Sequence, residues 1–478
     1  MKAGLGPRLW GALVVGTLLS LIGVLVTVAA PSPAAVTISF GRSTLHKETS
    51  TQPTSLQFGP DGRLYVAQQD GLIKIYTVKR NGANDYAVTA TQTITKIKSI
   101  PNHNDAGTSN TSVTSRLVTG ILVRGTRENP VIYVTSSDPR KNDASLDTNS
   151  GVLSQLRWTG SIWRKVDLVR GLPHGHGYHS TNGLQLDPST NTLYVAQGGN
   201  TNMGAPSNHF GLLPEYALSA AILKVDLDAI SSPPYDLPTL DDEDRPGNPD
   251  ANDPFGGNAG KNQAKLVPGG PVQVYEPGFR NPYDLLIATS GKMYTIDNSS
   301  NYGQGDVPVN EGSAGVCTND PNEPGMNQPE SLHLVKGPSY YGGHPNPTRG
   351  NMANTFNANK QSPVTTANPI ECDYQSPGAA NLSLTTFSAS TNGLTEYTAS
   401  NFGGAMKGNL LAASFDDRIY RIKLNSTGDG MVSKQALFSN VGDQTLDVTA
   451  RGDTRRFPGT IWVANIGDGT IKVFESSD

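Results

Sequence analysis

Six times along the chain, a run of mostly alternating apolar residues leads through a Gly or Pro turn into a second, almost wholly apolar run. The second runs are Leu64-Tyr65-Val66-Ala67, Ile132-Tyr133-Val134-Thr135, Leu193-Tyr194-Val195-Ala196, Met293-Tyr294-Thr295-Ile296, Leu410-Leu411-Ala412-Ala413 and Ile461-Trp462-Val463-Ala464. A third run follows each, for example residues 71–76, 221–226 and 330–335. Period-two alternation bounded by turn residues predicts strands. A recurring unit that cannot bury both its faces alone predicts copies packed on one another. The expected fold is all-β, a six-bladed β-propeller of four-stranded antiparallel blades with long loop insertions. A lone early strand within residues 36–45 has no partner nearby in sequence and is placed beside the last blade, where it would close the ring.

Composition agrees with this pattern. A chain of 478 residues is either several domains or one large repeat-built body, and 52 Gly and 33 Pro with 16% charged residues favour many turns and short strands. A net charge of -4 without a basic run excludes nucleic acid as a partner. Residues 1–35 stand apart: Lys2 and Arg8 precede an uncharged stretch that ends in Pro31-Ser32-Pro33-Ala34-Ala35. This is an export segment, either a signal peptide cleaved after Ala34 or a single uncleaved N-terminal membrane anchor. Both place a propeller domain of residues 36–478 in an extracellular or cell-surface location. Cys317 and Cys372, the two cysteines, lie in a Gly/Pro/Asn-rich insertion and are expected to form one disulfide stapling it. The insertions, residues 231–270, 301–330 and 342–390, are long enough to suggest function. Within the first, Asp241-Asp242-Glu243-Asp244 is read as a solvated loop in preference to a calcium site.

In antiparallel neighbours, the start of one strand and the end of the next share an edge. That rule gathers Thr181-Asn182-Gly183, Arg280-Asn281, Asn392-Gly393 and Gln444 with residues 68–70, 136–138, 197–200, 297–301, 414–417 and 465–468 on one face. Polar loops converging around a channel predict a small-molecule pocket. Residues 278–301 are its centre, since Arg280 and Asn281 open one strand and Asp297 to Asn301 close the next. Before the third blade stands Pro173-His174-Gly175-His176-Gly177-Tyr178-His179. Imidazoles suit transition metals, but Gly-rich spacing supplies no rigid scaffold, and no metal is expected there. His179, nearest the strand, is instead a candidate base for a substrate hydroxyl, weighed against a plain loop histidine. Arg451-Gly452-Asp453 is read as a turn.

Several of these residues together resemble the soluble quinoprotein glucose dehydrogenase and sorbosone dehydrogenase family. The likeness runs over roughly residues 50–475. It rests on His179 with Asn182-Gly183-Leu184, Ala221-Ile222-Leu223-Lys224-Val225-Asp226-Leu227, Arg280-Asn281-Pro282 and Tyr340-Tyr341-Gly342-Gly343-His344-Pro345. The resemblance implies a six-bladed propeller holding pyrroloquinoline quinone (PQQ), with calcium at the quinone edge. It implies His179 as the base that takes a sugar hydroxyl proton while hydride passes to the quinone, Arg280 and Asn281 as cofactor contacts, and the carbonyls of Ser299 and Ser300 as calcium ligands. The family's lysine after the second strand of blade five and its two arginines opening blade six correspond here to Asp416 or Asp417, and to Gln444 and Leu446.

The function expected is that of an exported sugar or polyol dehydrogenase passing electrons to an external acceptor. The alternative is a non-catalytic propeller that binds carbohydrate or a cell-surface partner through the same polar face. A calcium-assisted hydrolase or lactonase is a third reading.

Overall fold

The computed structural model describes residues 36–213, 215–239, 253–257, 260, 262–306, 324–337, 342–344 and 383–477. The N-terminal segment 1–35, Cys317, Cys372, the acidic run 241–244, Tyr340, Tyr341 and Pro345 lie outside the described residues. The strands form six antiparallel sheets arranged as a six-bladed propeller. Blade one runs from Pro53–Phe58 to Asp85–Ile94, blade two from Leu117–Gly125 to Trp163–Leu172 and blade three from Thr181–Asp187 to Val272–Pro277. Blade four runs from Pro282–Ile287 to Thr385–Phe387, and blade five from Thr391–Tyr397 to Met431–Phe438. A two-residue strand, Tyr235–Asp236, adds to the outer edge of blade two in parallel.

Blade six is built from both ends of the chain. Its inner strands are Thr445–Ala450, Ile461–Asn465 and Thr470–Ser476, and its outermost strand is Phe40–Thr44, paired from Phe40↔Ser476 to Thr44↔Lys472. The early strand therefore lies beside the last blade as expected, though it begins four residues later than the sequence pattern does. Arg42 donates from it to the carbonyls of Ser439 and Asn440 in blade five, both at 2.6 Å.

The second strand of each blade explains the repeated apolar runs. In blades one, four, five and six it is buried end to end, since neighbouring blades cover both faces. Six apolar clusters fill the six gaps between blades; Leu122 and Tyr133 meet Leu184 and Leu193 between blades two and three, for instance. The gap between blades three and four holds the smallest of them, around Ile222, Leu285 and Met293.

One irregularity recurs six times. The innermost strand of every blade shifts register just after its first residue, or in blade two its second: Pro53/Ser55, Val118/Gly120, Thr181/Leu184, Pro282/Asp284, Thr391/Leu394 and Thr445/Asp447. A bulge re-aims the side chain at the break. In five blades the residue so released, Thr54, Thr119, Tyr283, Asn392 or Leu446, lines the central cavity. Two bulges also lace blades together. Asp284 accepts the Leu394 N–H at 2.9 Å, and Asp447 accepts the Leu56 N–H at 2.7 Å. Gly183 and Gly393 admit these carboxylates, because a Cβ at either would stand 2.6 or 2.5 Å from an Asp284 or Asp447 oxygen.

Candidate functional site

The polar ends of the inner strands surround a cavity of about 720 Å³ at the propeller axis. Its geometry begins with Asp297, at the end of the second strand of blade four. This buried carboxylate accepts the backbone N–H groups of Arg280 at 3.0 Å and Asn281 at 2.8 Å. Burial pushes the Asp297 carboxyl up to about 6, against these two hydrogen bonds and the nearby Arg280 charge, which favour its ionised form. The clamp fixes the strand start that carries Arg280 and Asn281 into the cavity wall. From there the Arg280 guanidinium donates to the Asn298 carbonyl at 3.2 Å and to Gln304 Oε1 at 2.7 Å, with its Cζ 5.8 Å from the centre of the Phe210 ring. Asn281 Oδ1 accepts from Asn182 Nδ2 at 3.0 Å, which ties blade four to blade three.

His179 lies in the same wall and is 5% exposed. Its Nδ1 is 2.9 Å from the carbonyl oxygen of Gly199. A carbonyl only accepts, so Nδ1 carries the hydrogen and Nε2 is the acceptor nitrogen. Burial, reinforced by the Arg280 charge, holds the imidazole well below its ordinary pKa and therefore neutral. Phe210 packs against the ring at 4.9 Å between centroids.

A second layer fixes Gly199 itself. Glu215, fully buried, accepts the N–H groups of Asn200 and Thr201, both at 2.9 Å, the Thr201 hydroxyl at 2.8 Å and the Ser219 hydroxyl at 2.6 Å, and pairs with His344 Nε2 at 2.9 Å. Burial alone would raise its pKa, but the bonds from His344, Ser219 and the backbone outweigh it and the value falls. Only glycine fits at 199, where a Cβ would stand 2.5 Å from Glu215 Oε1. His344 thus supports the bend that holds the His179 partner.

Glu330, the first residue of the third strand of blade four, also lines the cavity. It accepts the Ser299 N–H at 2.5 Å, and burial pushes its carboxyl up to about 8. Ser299 and Ser300 are both buried behind it, outside the residues that line the cavity. The Ser300 carbonyl accepts the Gln328 N–H at 2.9 Å.

The wall contributed by blades five and six is different. It consists of Ser390, Asn392, Phe415, Gln444, Leu446 and Ile466. Asp416 is paired with Arg418 at 2.5 Å and takes the Tyr420 hydroxyl at 2.6 Å, while Arg421 is spent on Asn409 Oδ1 and the Ala405 carbonyl. Among the described residues, Arg280 is the only lysine or arginine of the cavity lining and Glu330 its only carboxylic acid.

The structure therefore brings His179, Arg280 and Asn281 together. The three histidines of the 174–179 run diverge: His174 is fully buried, His176 faces a separate surface pocket, and only His179 reaches the cavity. Among the described residues no group of His, Cys, Asp and Glu has the arrangement of a metal site. Sequence reasoning missed Phe210, Glu215 and Glu330. Glu215 left a trace, as the one acidic residue in the apolar run from Leu212 to Leu218, where a carboxylate must be buried and paired.

Comparison with solved structures agrees with this architecture. The chain is similar to a Trichoderma reesei enzyme of carbohydrate-active family AA12, in its iodide structure, at 13% identity, over 93% of this chain and 97% of that one, with a TM-score of 0.52. It is similar to the holo form of the PQQ domain of a pyranose dehydrogenase from Coprinopsis cinerea at 14% identity, over 93% and 98% of the two chains, with a TM-score of 0.50. No family model matches the sequence, and no curated protein does. At such identities the likeness is one of fold: the six-bladed architecture is shared with the PQQ domain of that pyranose dehydrogenase.

The cavity does not match that cofactor in charge. PQQ is a tricarboxylate, and carboxylates leaving water need cationic partners. The described lining supplies one, Arg280, whose guanidinium already serves Asn298 and Gln304, and Glu330 adds a group that becomes anionic when it ionises.

Proposed function

We propose that the chain is a sugar-acting propeller of the dehydrogenase type, in which a neutral sugar or polyol lies in the central cavity and His179 receives the proton of a bound hydroxyl. The observation that carries this reading is the imidazole of His179, neutral and held by Gly199 in the tautomer that leaves Nε2 as acceptor, in a wall of amides and hydroxyls. Amide side chains both donate and accept, which matches the hydroxyls of an uncharged polyol. Taking a hydroxyl proton is the protein's share of alcohol oxidation. In this reading the carbon-bound hydrogen leaves as hydride to a quinone-type acceptor, which is reduced to the quinol and reoxidised by an external electron acceptor; the one cation of the described lining favours a quinone of low negative charge. Export through residues 1–35 belongs to this reading, and cell fractionation tests it.

The test is dye reduction by purified protein with a panel of aldoses and polyols, with and without PQQ and calcium. Sugar-dependent turnover that His179→Ala abolishes is the expected result; no turnover with any sugar and acceptor overturns it. The single cation of the described lining favours a second reading, carbohydrate binding without chemistry. Sugar binding that survives His179→Ala, with no dye reduction by either protein, would establish that alternative.

A further inference from the structure

We propose that the ligand is an oligosaccharide chain, held across two lobes separated by an aromatic ridge; this rests on the reading of the cavity as a sugar site. The central cavity is bounded on one side by Gly177, Tyr178, Asn301 and Gln304. The next residues along the same two loops, His176 and Gly303, line a second cavity of about 550 Å³ together with Asn142, Asn208, His209 and Gly211. The two cavities therefore share a dividing ridge made by the loops at 176–178 and 301–304.

The chemistry of the ridge differs from that of the lobes. Tyr178 and Tyr302 stand on it, 40% and 67% exposed, and Leu212 and Met326 on adjoining loops are 45% and 51% exposed. Large apolar side chains gathered at a pocket mouth mark an interaction surface. Tyr178 also has a φ of 66°, in the left-handed region that a β-unbranched but bulky residue occupies only at a cost, although glycine flanks it at 177. The ridge is pinned from beneath. Asn202 donates to the Asn301 carbonyl at 2.9 Å and accepts its N–H at 3.0 Å, and the Ser207 hydroxyl donates to the Gln304 carbonyl at 2.8 Å.

The second lobe repeats the character of the first. Its described lining contains amides and two imidazoles and no lysine, arginine or carboxylate. Burial keeps His176 and His209 below their ordinary pKa, so the lobe stays uncharged. Two lobes walled mainly by uncharged hydrogen-bonding groups, with Arg280 and Glu330 the charged exceptions in the first, and ring faces between them fit a chain that presents hydroxyl edges and C–H faces in turn. A monosaccharide would fill one lobe and leave the ridge unused. A polyanion would find no cluster of cations among the described residues: Arg280 stands in the first lobe, and Lys141 lies apart from it at the ridge, its Nζ 4.6 Å from the centre of the Tyr178 ring.

Calorimetric titration of the intact protein with glucose, maltose, maltotriose and maltotetraose, and with the matching cellulose- and xylan-derived series, tests this. In one series affinity should rise by about tenfold between mono- and trisaccharide, the gain expected of aromatic stacking. Tyr302→Ala should abolish that rise; the side chain is largely exposed, so an unchanged melting curve will show that the fold is intact. Monosaccharide binding with affinity independent of chain length in every series overturns the two-lobed groove while leaving the sugar site standing. A length dependence that persists in both Tyr178→Ala and Tyr302→Ala overturns the role of the ridge. Failure to bind any sugar overturns the cavity reading and this proposal together.

Discussion

The two sides of the central cavity are made by the same repeat and yet are chemically unlike. On the side of blades three and four, the start of each inner strand carries a functional group and something behind it to hold that group. Asp297 clamps Arg280 and Asn281, Glu215 and Gly199 hold His179, and Ser299 holds Glu330. On the side of blades five and six, the corresponding positions are Asn392, Gln444 and Leu446. At the cavity the two sides meet through Asn298, which bonds Asn392 and Ser390, both at 2.9 Å, and beneath it through Asp284, which accepts the Leu394 N–H. A propeller needs its apolar second strands in all six blades for its core, but it needs chemistry at few of the loop ends. One side has been elaborated as a site, and the other provides shape.

That contrast can be broken or sharpened by experiment. The largest expected effect concerns Glu330. Its folded carboxyl titrates at about 8 against 4.5 for the ordinary group, so the wild type loses stability as pH rises from about 4.5 through about 8. Glu330→Gln cannot ionise, and its stability relative to wild type should improve by several kcal/mol over that window and then level off. Urea unfolding at a series of pH values checks this, and parallel curves would show that the carboxyl is solvated after all.

Next in size is Asp297→Ala, which leaves the buried N–H groups of Arg280 and Asn281 without their acceptor. A loss of about 3 kcal/mol is expected from two such groups, measured by the same unfolding experiment. Smaller again is a gain of function on the opposite side. Gln444→Arg with Leu446→Arg should tighten PQQ binding by about tenfold or more, read by calorimetry, since charge-assisted bonds to carboxylates contribute on the order of 1.5–3 kcal/mol each. No change would mean that charge is not what separates this cavity from a PQQ site. The smallest effect belongs to Gln444→Ala, expected within about 0.5 kcal/mol of wild type in stability, because a lining residue without a buried partner has little to lose.

Much of this arrangement was legible in the chain. Leu64-Tyr65-Val66-Ala67 and its five counterparts announced six blades, and antiparallel pairing was enough to put Arg280, Asn281 and His179 on one face. The strand that closes the ring lies where the sequence pattern places it, but its ladder begins only at Phe40, with residues 36–39 of strand-like composition outside it. The residues missed share a cause. Glu330 enters the cavity from a strand that follows a long insertion, Phe210 and Glu215 sit in the loop between the second and third strands of blade three, and Thr54, Thr119 and Tyr283 are turned inward by bulges. Strand periodicity carries no information about loop return paths or register breaks. His344 belonged to a recognised motif, but its work, supporting Glu215 behind the cavity wall, depends on contacts 129 residues away.

The closure of blade six has a consequence for how the molecule is made. The outermost strand, Phe40–Thr44, emerges from the ribosome first among the strands, and its partner, Thr470–Ser476, last. The Ser477 N–H reaches the Ser39 carbonyl at 3.0 Å, so the two ends of the body finish side by side. Until Thr470–Ser476 is released, the first strand must wait without its ladder, and any of the five earlier blades can assemble while the circle is still open. Native structure in the whole disc is therefore gated by the appearance of Thr470–Ser476, and a chain stopped before that strand would present two unpaired edges to its neighbours.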